Sequence, residues 1–213
     1  MKRAINDILF DLGNVLVPVH WETAFRNLLP HLPPDRAKLL KEDRQAFIDL
    51  LREPATALEK GETDSEQFYI AAAELLGTDL NREDFLEMWC NIFSINETMI
   101  SLGESLSKRY GTWLMSNTSR LHYEYIVRKF PRVTFYKCAA LSYDLGVMKP
   151  SANYYEKAIE KFRIDPISAV FIDDLPENVE GAVRSGMMGV VFRNSTQLLQ
   201  ELRSLGVNVP ESE

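Results

Sequence analysis

Residues 8–14 read ILFDLGN, an apolar run that stops at a carboxylate, a glycine and an asparagine. This pattern is typical of a buried strand that leads into a turn, and it predicts a first strand over residues 5–10. Asp11 then lies at the carboxyl end of that strand. Ligands of open α/β sheets bind outside the carboxyl ends of the strands, so Asp11 is the first candidate site residue.

The chain downstream of this turn has the periodicity of helices. From Trp21 to about Asn96, apolar residues recur at helical spacing and no segment has the pattern of a strand. Residues 64–67 and 81–84 have the composition of helix starts, and Gly77 that of a helix stop. This block is therefore predicted to be all-helical.

Helices and short apolar strands alternate after Asn96. Strands are predicted at residues 112–115, 134–140, 169–172 and 189–192, and helices at about 97–109, 119–129, 151–162, 176–185 and 195–204. The alternation predicts an α/β fold with a doubly wound, Rossmann-like parallel sheet covered on both faces. We expect residues 1–16 and 97–213 to form this core and residues 17–96 to form an inserted helical domain.

Composition excludes several classes of protein. The 213 residues carry a formal net charge of −7, which repels polyanions, so we expect no nucleic-acid partner. No apolar run approaches the ~20 residues that span a bilayer, and we expect no membrane partner. Cys90 and Cys138 form no metal-binding or redox motif. We expect free thiols, a cytoplasmic location, and a monomer or homodimer.

Polar residues recur at the predicted strand ends. Besides Asp11 they are Ser116 and Asn117 after the second strand, Lys149 before a helix start, and the pair Asp173 and Asp174 after the strand at 169–172. Because parallel strands end at one edge of a sheet, these side chains are expected to meet there.

Each of these side chains has a use if the ligand is a phosphate. Asp11 with Asp173, and a possible contribution from Asp174, offers the hard oxygen ligands that Mg²⁺ prefers. Ser116 can donate a hydroxyl hydrogen to a phosphate oxygen, and Lys149 supplies positive charge where the transferring phosphoryl group is negative. In isolation, an Asp after a strand is usually a turn or cap residue, so only the combination predicts a site.

The order and spacing of these motifs resemble those of the haloacid dehalogenase-like hydrolases. The matching segments are Asp11–Val15, Ser116–Thr118, Lys149–Pro150, and Ile172–Asp174 followed by Glu177–Ala182. The resemblance covers essentially the whole chain, with residues 17–96 in the place of the family's helical cap. Within the family, the motifs are most similar to the branch of bacterial α-D-glucose-1-phosphate phosphatase and the phosphatase domain of soluble epoxide hydrolase.

The resemblance implies a role for each phosphate-facing residue. Asp11 would be the nucleophile, forming an aspartyl-phosphate that water then hydrolyses. Ser116 and Lys149 would be catalytic phosphate-binding residues, and Asn117 would contact the substrate. The implied activity is hydrolysis of a small phosphorylated metabolite.

The resemblance also implies a Mg²⁺ cofactor. Asp11, Asp173 and the main-chain carbonyl of Gly13 would hold the metal. Asp174 and Asn178 would support these ligands and orient Lys149 from behind them.

Gly13 departs from the commonest pattern, because most phosphatases of this family carry a general acid/base Asp two residues after the nucleophile. Loss of such a group typically costs ~10² to 10⁴ in rate. Sugar-1-phosphates and acyl phosphates, whose leaving groups need less protonation, are therefore favoured as substrates. His20, near the expected hinge of the cap, is a candidate substrate contact and a candidate replacement for the acid.

Two other functions compete with a phosphatase. A 2-haloacid dehalogenase uses the same fold and an equivalent Asp without a metal, although the pair of Asp173 and Asp174 argues against it. A phosphate-binding regulatory module with weak catalysis would explain Gly13, although Asp11, Lys149 and Asp173 are all present.

Overall fold

The computed structural model describes residues 4–209. Five parallel strands form one sheet in the order β3-β2-β1-β4-β5. They are β1 Asp7–Phe10, β2 Gly111–Ser116, β3 Cys138–Leu141, β4 Ala169–Asp173 and β5 Met188–Val191. The predicted α/β class with a doubly wound parallel sheet is confirmed.

Helices cover both faces of the sheet because successive strand residues point to opposite sides. The helices of the core are α6 Glu97–Leu106, α7 Arg120–Lys129, α8 Ser142–Leu145, α9 Ala152–Phe162, α10 Pro176–Arg184 and α11 Ser195–Ser204. Ile8 and Phe10 are buried on the face covered by α6, α7 and α11, whereas Leu9 is buried with Tyr154 and Tyr155 on the face covered by α9 and α10.

The third strand starts later than predicted. Residues 131–134, included in part in the prediction, form a short 3-10 turn that begins at Pro131, and β3 extends only over Cys138–Leu141. Val133 is buried without being part of a strand. Thr134, Phe135 and Tyr136, which the prediction included, are β-branched or aromatic and therefore resemble strand residues, while Pro131 upstream favours the turn.

Five helices lie between β1 and α6. They are α1 Trp21–Leu28, α2 Pro34–Glu42, α3 Arg44–Glu59, α4 Ser65–Leu76 and α5 Arg82–Cys90. They enclose an apolar cluster of their own, centred on Phe47, Phe68 and Phe85. We call this helical unit the cap; its limits at residues 17 and 96 stay a prediction.

The predicted helix ends in the cap are confirmed. Asp64 accepts hydrogen bonds from the main-chain N–H groups of Glu66 and Gln67, and Gln67 accepts one from Asp64 in return. This reciprocal pattern is the capping box that the sequence suggests. Gly77 ends α4 with a φ of 64°, a conformation that glycine adopts without a steric cost.

The two chain segments that join the cap to the sheet run antiparallel to each other. Val19 and Phe93 form a bridge, and the N–H of Ser94 donates to the carbonyl of Pro18 at 3.1 Å. This pairing of the two segments places the cap over the carboxyl end of β1. Within residues 4–209, no helix combines the length and apolar character that a bilayer crossing requires.

Candidate functional site

Three predicted site residues meet where adjacent strands end. Asp11 follows β1, Ser116 ends β2 and Asp173 ends β4, and β1 is the common neighbour of the other two strands. The N–H of Asp11 donates to the carbonyl of Ile172 at 2.8 Å, which extends the ladder into the turn. The exposed fractions of Asp11, Ser116 and Asp173 are 7%, 2% and 0%. The apolar strands thus hold polar groups in a site with little access to water.

Lys149 joins these strand ends. Its Nζ donates to Asp11 Oδ1 at 2.8 Å, to Asp173 Oδ2 at 2.6 Å and to the carbonyl of Met115 at 2.9 Å. Burial disfavours the charge, but the carboxylates of Asp11 and Asp173 outweigh it and raise the pKa of Lys149 above its ordinary value. Lys149 therefore remains a cation in the centre of the site.

The main chain of Lys149 is fixed by Asn117. The N–H of Lys149 donates to Asn117 Oδ1 at 2.8 Å, and Asn117 Nδ2 donates to the carbonyl of Lys149 at 2.9 Å. Both ends of the Asn117 amide are therefore engaged by the protein. The predicted substrate contact of Asn117 stays a prediction, and its geometry is that of a residue that positions Lys149.

Three carboxylates converge at the ends of β1 and β4. Asp11, Asp173 and Asp174 each offer an oxygen, and these oxygens lie within 4.8 Å of one another. Asp173 is held rigidly, since Asn178 Nδ2 donates to both of its oxygens at 3.1 Å and the N–H of Leu175 donates to Oδ1 at 2.9 Å. Asn178 thus orients a carboxylate of the site, as the resemblance implies. Hard oxygens in this arrangement fit Mg²⁺.

The crowding of charge changes the pKa of the predicted nucleophile. The pKa of Asp11 is raised to about 7, mainly because the carboxyl group is buried; the cation of Lys149 opposes this rise, and repulsion from Asp173 adds to it. A divalent cation among the carboxylates would oppose both the burial and the repulsion. The ionised form that attacks a phosphorus atom is therefore favoured when a metal is bound.

Asn14 is a site residue to which the sequence assigned no role. Its backbone has a φ of 54°, in the left-handed region that asparagine tolerates. Its Nδ2 donates to Asp174 Oδ2 at 3.1 Å, and its Oδ1 accepts from the N–H of Val19 at 3.1 Å. Asn14 therefore links Asp174 to the segment that enters the cap.

A cavity of about 110 Å³ separates the strand ends from the cap. Gly13, Ser116 and Thr118 line it from the core. Trp21 and Glu59 line it from the cap. A larger cavity of about 400 Å³ lies at another part of the cap boundary, and Ser116 does not line it. Asp11 lines neither cavity; its neighbours Leu12 and Gly13 line the smaller one.

Two ionisable side chains in this cavity were not predicted to belong to the site. Glu59 ends α3, and burial raises its pKa to about 7. His122 lies in α7, where its Nε2 is 3.2 Å from the carbonyl of Trp89, and burial lowers its pKa to about 4 despite this hydrogen bond. The sequence carries no signal for Glu59, because nothing local indicates which turn of the cap contacts the core.

His20 lies in the first of the two segments that connect the cap to the core, directly after Val19. Its side chain is exposed, its Nε2 is 2.7 Å from Ser94 Oγ, and it does not line the cavity beside Gly13. The roles predicted for His20, substrate contact and replacement acid, stay predictions. Its contact with Ser94 joins the segment that enters the cap to the segment that leaves it.

Comparison with known proteins gives a family match and several relatives. The sequence model of the family described as haloacid dehalogenase-like hydrolase matches residues 6–186. D-ribitol-5-phosphate phosphatase of Bacteroides thetaiotaomicron is 24% identical over 207 residues, or 93% of this chain and 97% of that protein. Flavin mononucleotide hydrolase 1 of Arabidopsis thaliana is 37% identical over 76 residues, but this stretch covers only 36% of this chain and 29% of that protein.

A solved structure has the same fold. It is a HAD family enzyme of Bacteroides thetaiotaomicron in complex with magnesium and inorganic phosphate, and it superposes with a TM-score of 0.77 at 22% identity. The match covers 92% of this chain and 99% of that one. The sheet with its inserted cap is therefore an arrangement found in at least one solved enzyme.

Proposed function

This chain belongs to the haloacid dehalogenase-like hydrolases, and we propose that it is a Mg²⁺-dependent phosphatase that hydrolyses a small phosphorylated metabolite through a phosphorylated Asp11. The observation that carries the proposal is the convergence of Asp11, Asp173 and Asp174, of which Asp11 and Asp173 pair with the buried cation of Lys149. A displacement of halide from carbon without a metal has no use for three converging carboxylates. A phosphoryl group, in contrast, needs a metal and a cation to offset its negative charge.

The reaction has two steps. A carboxylate oxygen of Asp11 attacks the phosphorus, the bond from phosphorus to the leaving oxygen breaks, and an aspartyl-phosphate forms. Water then attacks the same phosphorus, and the bond to Asp11 breaks to release inorganic phosphate. We expect Ser116 and Lys149 to donate hydrogen bonds to the phosphoryl oxygens in both steps.

The residues at the strand ends fit a Mg²⁺ ion. Asp11 and Asp173 would supply carboxylate oxygens and Gly13 its carbonyl, while Asp174 lies close enough to contribute directly or through water. The bound metal would reduce the repulsion between the attacking carboxylate and the phosphoryl group. Asn178 holds Asp173 in place with two hydrogen bonds of 3.1 Å, so the ligand is positioned before the metal arrives.

The cavity supports a small substrate. Its volume of about 110 Å³ is well below the roughly 300–1,000 Å³ of pockets that hold drug-sized ligands. We propose a sugar or sugar-alcohol phosphate, a class that includes the substrate named for the relative from Bacteroides thetaiotaomicron. Gly13 is the reason to include sugar-1-phosphates, which tolerate the lack of an adjacent acid.

We also propose a cytoplasmic monomer or homodimer that binds neither nucleic acid nor membranes, in keeping with the net charge of −7.

The test is phosphate release from a panel of sugar, sugar-alcohol, nucleotide and acyl phosphates and p-nitrophenyl phosphate, with and without Mg²⁺. We expect Mg²⁺-dependent release that Asp11→Asn abolishes while circular dichroism remains unchanged. Full activity of pure Asp11→Asn would contradict the assignment of the nucleophile. Metal-independent chloride release from 2-chloropropionate would instead identify a dehalogenase, and turnover no higher than that of Asp11→Asn on every substrate would favour a regulatory module.

A further inference from the structure

The cavity at the strand ends lacks a proton donor at the usual place. Gly13 has no side chain, although a Cβ at this position would be 3.8 Å from Val19 and 3.9 Å from Asp11, so a Cβ would meet no clash. An alkoxide leaving group needs a proton as the bond to phosphorus breaks. The donor must therefore come from elsewhere or the enzyme is limited to good leaving groups.

Two ionisable side chains line the cavity with Gly13 and Ser116, namely Glu59 and His122. His122 is a poor acid near neutral pH, because burial lowers its pKa to about 4 and its Nε2 faces the carbonyl of Trp89 at 3.2 Å. The neutral ring has one N–H, and that hydrogen is used in this contact. Glu59 is left as the donor.

The main chain of Glu59 is fixed against the core. Ser142 Oγ donates to the carbonyl of Glu59 at 2.6 Å, and the same hydroxyl accepts from the N–H of Thr118 at 3.0 Å. Thr118 follows Ser116, the phosphate-binding residue, by two positions. A single buried hydroxyl therefore connects the end of α3 to the loop that faces the phosphoryl group.

The turn after Glu59 packs closely on the core. Gly61 has a φ of 69°, and a Cβ at this position would lie 2.3 Å from the carbonyl oxygen of Tyr143. Only a glycine permits this approach. Glu59 is thus positioned by a hydrogen bond at its own carbonyl and by a tight contact two residues later.

The side chain of Glu59 is in the right protonation range. Burial alone raises its pKa to about 7, and no cation opposes this effect. A carboxyl group with such a pKa is protonated in a substantial fraction of molecules at neutral pH, as a general acid requires.

We propose that Glu59 is the catalytic acid that protonates the leaving group in place of a side chain at position 13. The inference rests on the phosphatase function proposed above. As Asp11 bonds to phosphorus and the bond to the leaving oxygen breaks, that oxygen takes the proton of the Glu59 carboxyl, and Glu59 becomes a carboxylate. In the second step the carboxylate takes a proton from the attacking water, which restores the acid.

This assignment changes the expected substrate class. With a donor in the cap, the enzyme is not limited to anomeric or acyl phosphates. Esters of ordinary primary alcohols, such as sugar alcohols phosphorylated at a terminal carbon, become suitable because their basic alkoxide is protonated as it leaves. The acid is also in place only when the cap is closed, so hydrolysis is coupled to closure.

The test compares Glu59→Gln with Glu53→Gln, a matched control at an exposed position of the same helix. Release of the leaving group is followed in a single turnover with enzyme in excess, so that only the first step is measured. The substrates are p-nitrophenyl phosphate, phenyl phosphate and glycerol phosphate, whose leaving groups are increasingly basic. We expect Glu59→Gln to slow glycerol release by ~10² to 10⁴ and p-nitrophenol release by much less, and Glu53→Gln to match the wild type.

Two further measurements complete the test. Because a Cβ fits at position 13, Gly13→Asp in the Glu59→Gln background should restore part of the glycerol release. The binding of inorganic phosphate with Mg²⁺ should be the same in Glu59→Gln as in the wild type. An equal slowing for all three leaving groups, no slowing, or a loss of phosphate binding would overturn the acid role. Failure of the phosphatase proposal is distinct, since the wild type would then release no leaving group and Asp11→Asn would change nothing.

Discussion

At the scale of single residues, buried ionisable groups govern how the free energy of unfolding responds to pH. His122 is a buried ionisable group that is not among the proposed metal ligands. Burial lowers its pKa to about 4, whereas the unfolded chain binds the proton near the ordinary value of 6.5. The unfolded state therefore takes up more protons as pH falls, and the stability due to a neutral His122 is lost between these two values. From about pH 7 to about pH 5 the loss is about 2 kcal/mol.

We expect His122→Asn to remove this contribution. The variant should be less stable than the wild type near neutral pH, because the stacking of His122 on Trp89 is lost. The difference in unfolding free energy should narrow by about 2 kcal/mol from about pH 7 to about pH 5, as measured by urea unfolding. His31→Asn is the control, since the His31 side chain is 39% exposed. A difference that is constant with pH would show that His122 has the same pKa in the folded and unfolded states.

Lys149 is a second residue whose loss has a defined consequence. Its side chain is 1% exposed and pairs with Asp11 and Asp173. Lys149→Met leaves two carboxylates buried without a cation, and removal of one partner from such a group costs roughly 3–5 kcal/mol. We expect Mg²⁺ to stabilise this variant more than the wild type, because the metal is then the sole cation at the carboxylates.

The measurement is the Mg²⁺-induced shift in the urea midpoint of both proteins. Lys161→Met, at an exposed position of α9, controls for the loss of a surface charge. An equal shift in the wild type and Lys149→Met would contradict the placement of the metal beside Lys149.

Most residues of the strand ends could be predicted from the sequence because local patterns place them there. An apolar run followed by a carboxylate fixes Asp11 and Asp173 at the carboxyl ends of their strands, and parallel pairing brings the ends together. Glu59 could not be predicted in this way. Its position depends on how the cap packs on the core, through contacts with Ser142 and Tyr143 that are remote in the sequence.

At the scale of elements, the turn between α3 and α4 determines how the cap meets the sheet. Gly61 in this turn and Gly146 after α8 have nearly the same backbone, with φ values of 69° and 67°. Gly61 contacts the carbonyl of Tyr143, whereas a Cβ at Gly146 would have no atom within 4 Å. An alanine at Gly146 would add only backbone strain, whereas an alanine at Gly61 would also disturb the contact between cap and core. A comparison of the two variants therefore distinguishes these effects.

We expect Gly146→Ala to cost about 1–2 kcal/mol, the strain of a left-handed alanine. Gly61→Ala should cost more and should also slow turnover, because the added methyl group pushes the turn away from Tyr143. Thermal unfolding and phosphate release measured on both variants provide the comparison. Equal losses of stability with normal turnover in both would mean that the turn does not position the cap.

The ends of some elements could be predicted from nearby residues, and the ends of others could not. The start of α4 at the Asp64 cap and its end at Gly77 follow from hydrogen bonds and backbone conformations within a few residues. The start of β3 does not, because Thr134, Phe135 and Tyr136 resemble strand residues although they precede the strand. Burial by distant elements overrides the local pattern there.

At the scale of the whole molecule, cap and core are each packed around apolar residues of their own. The apolar cluster around Phe47 in the cap is separate from the two clusters that flank the sheet. The units meet where Val19 bridges Phe93, at the hydroxyl of Ser142, where Gly61 packs on Tyr143, and where His122 stacks on Trp89. Each unit can therefore keep its own packing while the contact between them opens, as substrate entry into a cavity of about 110 Å³ requires.

Ser142→Ala tests this view of the molecule. The hydroxyl is fully buried and serves both the carbonyl of Glu59 and the N–H of Thr118. With these two groups unpaired, closure would cost about 1–3 kcal/mol, and opening of the cap would relieve the cost by admitting water. We expect faster amide hydrogen exchange at residues 57–62 and unchanged exchange in β1.

Ser151→Ala is the matched control, since Ser151 is exposed and its side chain makes no capping bond to α9. If exchange accelerates equally in β1 and in the turn, the variant destabilises the whole molecule and the two units do not open independently. If exchange accelerates at residues 57–62 alone, the hydroxyl of Ser142 stabilises the closed position of the cap. Glycerol phosphate turnover should then fall in Ser142→Ala more than p-nitrophenyl phosphate turnover, because an open cap withdraws Glu59 from the leaving group.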